Sequence, residues 1–108
     1  MKGDRLGEFE ELTLLAVRAL GEPTYAVPIQ RFVEKSAGRN VAMGALYAAL
    51  ERLEQKGHLV STFGDVTPER GGKRKRLFSV TPLGIRTVAD LRTVRERIWR
   101  VIEQGRRP

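Results

Sequence analysis

Two runs rich in Val, Phe, Leu and Thr, "HLVSTFGDVT" and "KRLFSVT", flank "PERGGK" in a chain whose other apolar residues recur at helical spacing. Turn-forming residues at both ends of that spacer predict a β-hairpin. The same stretch sets Arg70, Lys73, Arg74, Lys75 and Arg76 against one acid, Glu69. Its glycines, Gly71 and Gly72, permit a tight turn and a close approach to another chain.

Three helices are expected before the hairpin. In "GEFEELTLLAVRALGE" the acids Glu8, Glu10 and Glu11 suit the positive end of a helix dipole, and Gly21 is a stop. Phe9, Leu12, Ala16 and Leu20 recur at helical spacing, with Leu15 and Ala19 broadening the apolar face. In "TYAVPIQRFVEKSAG", Thr24 is the expected cap, Ile29, Phe32 and Val33 the buried stripe, and Gly38 the end. Pro28 must fall in the first turn, because deeper it would remove a backbone bond and clash. In "AMGALYAALERLEQKG", Leu46, Ala49, Leu50 and Leu53 share one side and Gly57 ends the helix. At about 100° per residue, the other side holds Gly44, Ala48, Glu51, Arg52 and Gln55, with Tyr47 on the border. After the hairpin, Thr81 and Pro82 form a cap and a first-turn proline, opening a helix that runs to about Gln104.

The order helix, helix, helix, hairpin, helix predicts an α+β, mostly helical chain. It is the order of a winged helix-turn-helix domain, with other small α+β folds as alternatives; that domain is expected over residues 1–81, followed by a C-terminal dimerisation helix over 82–108. A length of 108 residues suits one domain. The formal charge of +7 favours a polyanionic partner, either nucleic acid or an anionic membrane surface.

Several chemistries are disfavoured. The chain has no cysteine, which removes disulfides and thiolate metal sites. His58 is the only histidine and is read as structural or solvent-facing, so no metal and no cofactor is expected. No nucleophile–base pair can be argued, and "RGGKRKR" lacks the spacing of a phosphate-binding P-loop. The chain is therefore not read as an enzyme. "MKGDRLGEFEEL" has no apolar core of signal-peptide length, and no run approaches the roughly 18 apolar residues of a membrane span. The expected location is cytoplasmic.

In a winged-helix domain the third helix enters the major groove of double-stranded DNA. Gly44, Ala45 and Ala48 let its backbone approach closely, and free N–H groups at its start suit a phosphate. Tyr47 offers a hydroxyl to phosphate or a ring edge to a thymine methyl, and Arg52 adds a cation on that side. Arg70, Gly72, Lys73, Arg74 and Lys75 in the hairpin would neutralise phosphates and release counterions. Each feature alone has a plainer reading: alanines favour helix, Tyr47 packs on the core, and a charge run is a solvated loop. Together, in this order, they favour DNA.

The last helix carries a second message. Leu91, Val94, Ile98 and Val101 follow the spacing of a coiled-coil seam, whereas Ile85 and Val88 lie on another side and suit packing on the domain. Two apolar stripes need two things to pack against, and a second copy supplies the other. Leu6 and Phe9 are expected to support the seam of this homodimer. Trp99 borders it, either packing there or stacking a flat ligand as an effector contact.

"LGEFEELTLLAVRAL", "TYAVPIQ", "GALYAALERLEQKGHL" and "TPERGGKRKRLFSVTPLG" together resemble the PadR-type transcriptional regulators, in the short subfamily with one C-terminal helix. The resemblance implies a homodimeric DNA-binding protein, usually a repressor of a palindromic operator. It also implies dimerisation through the C-terminal and N-terminal helices, and often a response to a small aromatic or cationic effector. Tyr25 and Tyr47 match the family's tyrosines at the starts of the second and third helices. Gly44 matches the recognition-helix glycine, and Gly71 to Arg74 match the wing. Pro28, Ala42, Leu77 and Ser79 depart from the family pattern. The rival function is a winged-helix module docking on protein or RNA, with weak and sequence-indifferent binding to DNA.

Overall fold

Each helix starts and stops for a local reason, and those reasons set the order of the fold. The computed structural model describes residues 5–66 and 74–105. It comprises α1 (Glu8–Leu20), α2 (Ala26–Ala37), α3 (Met43–Gln55), β1 (Leu59–Val66), β2 (Arg74–Val80) and α4 (Pro82–Glu103). This is the expected order, a mostly helical chain with one antiparallel hairpin.

Pro28 stands third in α2. The first backbone N–H to bond within that helix belongs to Ile29, which donates to the Tyr25 carbonyl at 3.3 Å. The proline ring therefore replaces an N–H that would have no intrahelical acceptor. Thr24 does not cap the helix: Tyr25 is the N-cap, without a side-chain cap bond. Thr24 is buried and exchanges backbone hydrogen bonds with Phe78, N–H to carbonyl at 3.1 and 2.7 Å. A one-residue bridge thus gives β2 a second neighbour between α1 and α2. It is too short to leave an alternating pattern in the sequence.

Ala42 is the N-cap of α3 and makes no side-chain cap hydrogen bond. The helix still starts at Met43, its first bond running from the Leu46 N–H to the Ala42 carbonyl at 3.0 Å. At its other end Gly57, with φ 83°, takes the left-handed conformation. There the Gly57 N–H donates to the Glu54 carbonyl and the His58 N–H to the Leu53 carbonyl, a Schellman closure.

The core joins Leu14 and Val17 of α1, Ile29 and Val33 of α2, and Leu46, Leu50 and Leu53 of α3 to Leu59 and Phe78 at the root of the hairpin. Burial of each large side chain contributes about 1.5–3 kcal/mol. The buried side of α1 differs from the expected one. Thr13, Leu14, Ala16 and Val17 turn inward with Glu10, while Phe9 and Leu12 are only partly buried. Leu15, Ala19 and Leu20 are exposed. Apolar residues nearly encircle α1, so periodicity alone does not single out one face. Phe32 of α2 and Ile85 of α4 are likewise exposed, whereas Val88 packs against the core as expected.

Thr81 caps α4: its Oγ1 accepts from the Gly84 N–H at 3.1 Å and donates to the Gly57 carbonyl at 2.6 Å. Gly84 lies flat on the α3–β1 junction, where an added Cβ would stand 2.4 Å from the His58 carbonyl oxygen and 2.7 Å from Val80 Cγ1. Gly84→Ala should therefore cost about 2 kcal/mol or more, read as a shift in the denaturant midpoint. Gly44→Ala meets nothing within 4 Å and should be neutral or stabilise by up to about 1 kcal/mol. Equal effects of the two would contradict this packing.

Candidate nucleic-acid interface

The face of α3 turned from the core holds Gly44, Ala45, Tyr47, Ala48, Glu51, Arg52 and Gln55, all exposed. Beside it the start of α2 and the hairpin enclose a concave site of about 320 Å³. Tyr25, Ala26, Val27, Tyr47, Phe63, Arg74, Lys75 and Arg76 line it. Lys75 Nζ lies 4.2 Å from the centroid of the Tyr25 ring, a cation–π contact that leads β2 across to α2.

Four residues anticipated for DNA contact, Tyr25, Tyr47, Arg74 and Lys75, therefore share one hollow, with Gly44, Ala45 and Ala48 on the adjoining helix face. Arg70, Gly71, Gly72 and Lys73 lie outside the described residues. Phe63 was not anticipated, yet it is 63% exposed and stands opposite Arg76 in the hairpin. Its signal is an aromatic residue on a strand beyond the point where Leu59 has already reached the core.

Two guanidinium groups near the hollow are held within the protein. Arg52 Nε donates to Glu10 Oε2 at 2.9 Å, directing that side chain toward α1. Arg76 contacts Glu51, pairs with Glu54 at 2.8 Å and donates from Nε to Ser61 Oγ at 3.1 Å. The hydrogen bond to Glu51 outweighs burial and raises the already high pKa of Arg76.

The residues expected at a dimer seam divide. Leu6 and Phe9 pack against the core of their own chain. Val94 and Ile98 are 50% and 57% exposed, in line with half-buried Leu91 and Val101, and Ile102 extends the strip. Trp99 is 58% exposed on the side of α4 that faces α1. It lines a cleft of about 230 Å³ with Glu11, Leu15, Val88, Arg92, Arg95 and Glu96, where Arg95 pairs with Glu11 at 2.9 Å. Leu15 also borders an apolar hollow of about 170 Å³ containing Leu12 and Phe32.

Among the described residues no cluster of His, Cys, Asp or Glu could hold a metal ion. His58 is buried, which fits the structural one of its two anticipated roles. Among the described residues no helix is long and apolar enough to cross a membrane.

Three helices, a basic hairpin and a bare third-helix face define the winged-helix class of DNA-binding folds. Residues 14–90 match the model of the PadR-like family of transcriptional regulators, and the chain belongs to that family. Its fold is similar to that of a PadR-like transcription factor from Bacteroides fragilis (TM-score 0.74, 23% identity, covering 89% of this chain and 87% of that one). It is also similar to a PadR family transcription regulator from Clostridium difficile (TM-score 0.72, 21% identity, covering 92% and 98%). A third similar structure is a PadR family transcriptional regulator from Eggerthella lenta (TM-score 0.62, 25% identity, covering 91% and 81%). No curated protein sequence matches the chain.

Glu10 makes part of this site sensitive to acid. Burial works to raise its pKa, but hydrogen bonds and charges from Lys56 and Arg52 together outweigh burial and lower it. Lys56 Nζ donates to Glu10 Oε1 and to the Arg5 carbonyl, both at 2.7 Å. A lowered folded pKa means that Glu10 stabilises the fold above its unfolded value and loses that contribution as pH falls through the folded one. Glu10→Gln should cost about 1–3 kcal/mol at neutral pH. That difference from wild type should shrink between about pH 7 and pH 3. A cost independent of pH in urea titrations would show that ionisation is not its source.

Proposed function

We propose that the chain is a homodimeric cytoplasmic repressor that binds a short inverted-repeat operator, with α3 in the major groove and the hairpin along the adjoining backbone. Residues 1–81 then bind DNA and residues 82–108 hold the dimer. The observation that carries this reading is the hollow where Tyr25, Tyr47, Arg74 and Lys75 meet beside Gly44, Ala45 and Ala48. Cations and tyrosine hydroxyls suit phosphate oxygens, and small side chains let the helix backbone approach the base edges. On this reading the sequence adds Arg70 and Lys73 as further cations for phosphate and Gly72 for a close backbone approach. Arg52 acts on this surface through Glu10, steadying α3 against α1.

The strip of exposed Val94 and Ile98 in line with half-buried Leu91 and Val101 supports the dimer, since a second chain would cover it. Leu6 and Phe9 would contribute indirectly, by packing the N-terminal segment and the start of α1 against the core. Selection from a pool of random duplexes should converge on an inverted repeat that outcompetes unselected duplex at fixed salt. Ile98→Glu should sediment as a monomer and bind the selected duplex at least about tenfold more weakly, because a charge would be buried at the seam. Failure of the selection to converge, with equal binding to all sequences, would favour a docking module for protein or RNA.

An effector would act through Trp99. Its indole, with Leu15 and Val88, offers an apolar wall to a flat compound beside the proposed seam. A ligand there shifts the spacing of the two α3 helices only by favouring one dimer arrangement over another. A planar aromatic compound should quench the single tryptophan saturably and release the selected duplex. Trp99→Ala should keep its duplex at the same concentration. Release from both proteins alike would remove Trp99 from the response.

A further inference from the structure

Arg76 differs from its described neighbours Arg74 and Lys75 in what it touches. Its two terminal nitrogens reach exposed Glu51 and half-buried Glu54, one turn apart on α3, and its Nε donates to Ser61 on β1. Ser61 Oγ lies 2.8 and 3.0 Å from the two Glu54 oxygens, closing the set. The guanidinium carbon lies 5.1 Å from the centroid of the buried Phe78 ring, two residues along the strand. The Arg76 side chain is only 25% exposed. Arg74 is exposed at the start of the strand, and Lys75 reaches the other way to Tyr25.

This network sits where the hairpin leaves the core. Inward of it, Phe78 and Val80 are buried; outward, Phe63 stands largely in solvent. An isolated surface ion pair would contribute little to holding that outer part. A guanidinium fork shared by two carboxylates and a hydroxyl is more directional, because its donors are fixed in one plane. The two carboxylates also stand on the same helix as Tyr47 and Ala48. With no cation beside them they would repel a phosphate chain.

We propose that Arg76 is a positioning residue for DNA binding. It pins the hairpin to α3, keeps Arg74 and Lys75 beside Tyr25 and Tyr47, and itself touches no phosphate. The inference rests on the DNA-binding reading above, but it concerns which cations meet the phosphates and which one sets their geometry.

The sign of one substitution separates the alternatives. Simple electrostatics makes the double variant Glu51→Gln, Glu54→Gln bind a random-sequence DNA duplex more tightly, since two negative charges leave the DNA-facing side. The positioning role makes it bind about tenfold more weakly, with a log-affinity against log-salt slope shallower by about two phosphate contacts. Lys75→Gln, by comparison, should make the slope shallower by about one contact. The second arm is a cycle with Arg76→Met. That change should weaken binding in the wild-type background but add almost nothing once Glu51 and Glu54 are glutamine. Arg76→Lys keeps the charge without the fork and should recover only part of the affinity. All variants are compared below their melting temperatures, so that loss of fold is not read as loss of binding. Tighter binding by the double glutamine variant overturns the proposal, as does an equal loss from Arg76→Met in both backgrounds. A wild-type protein that binds no duplex at low salt would instead overturn the DNA-binding reading.

Discussion

The backbone at Gly57 and His58 carries more of this structure than its two residues suggest. Left-handed Gly57 closes α3, and the His58 N–H reaches back to Leu53. The His58 carbonyl then accepts from the Thr81 N–H at 3.0 Å, while the Thr81 hydroxyl donates to the Gly57 carbonyl. Gly84 presses its bare backbone against the same spot. Four elements therefore meet here: the end of α3, the start of β1, the end of β2 and the start of α4. A residue with a Cβ at Gly57 would strain the turn, and one at Gly84 would push α4 away. The angle between α3 and the hairpin, and the direction in which α4 leaves the domain, both start from this joint.

Charge on the hairpin is less uniform than the sequence makes it look. Arg74, Lys75 and Arg76 are consecutive cations, but they have three different surroundings: solvent, the Tyr25 ring and the α3 carboxylates. A net charge of +7 describes long-range attraction to a polyanion. It does not say which side chains meet phosphate, because an arginine between two carboxylates has already spent its donors. Arg52, held to Glu10, shows the same thing on the helix.

The order of elements was legible because its punctuation is local. Gly21, Gly38, Gly57 and the Thr81–Pro82 pair act within one turn of where they stand, and all four mark ends or starts in the structure. The leucine face of α3 was legible because polar residues bound it on both sides. On α1 the apolar residues run almost all the way round, and its rotation is settled by Lys56 and Arg52, more than forty positions away, gripping Glu10. The Thr24–Phe78 bridge was illegible for a related reason: one pair of residues joined across the domain leaves no period to read. At the site, Tyr47 and Lys75 could be chosen by type and Tyr25 by the family resemblance. Phe63 could not, since only the pairing of the two strands brings its ring to the edge of the hollow.

On the proposed reading, the composition of the α3 face limits how DNA can be read. Discriminating base pairs by hydrogen bonds takes side chains such as Arg, Lys, Asn or Gln, each good bidentate pair giving about 1–3 kcal/mol. Gly44, Ala45 and Ala48 offer none, Arg52 is engaged with Glu10, and Gln55 stands at the far end of the helix. What remains at the front of the helix is the Tyr47 hydroxyl, methyl contacts and the close fit of backbone to groove. Such contacts give modest selectivity for one half-site. Two half-sites held by one rigid dimer add their free energies, so a tenfold preference, about 1.4 kcal/mol, becomes a hundredfold one. The seam of α4 then belongs to the reading of sequence as much as α3 does. An effector beside Trp99 would have leverage for the same reason: changing the separation of two weakly selective helices sacrifices the added term without touching either helix.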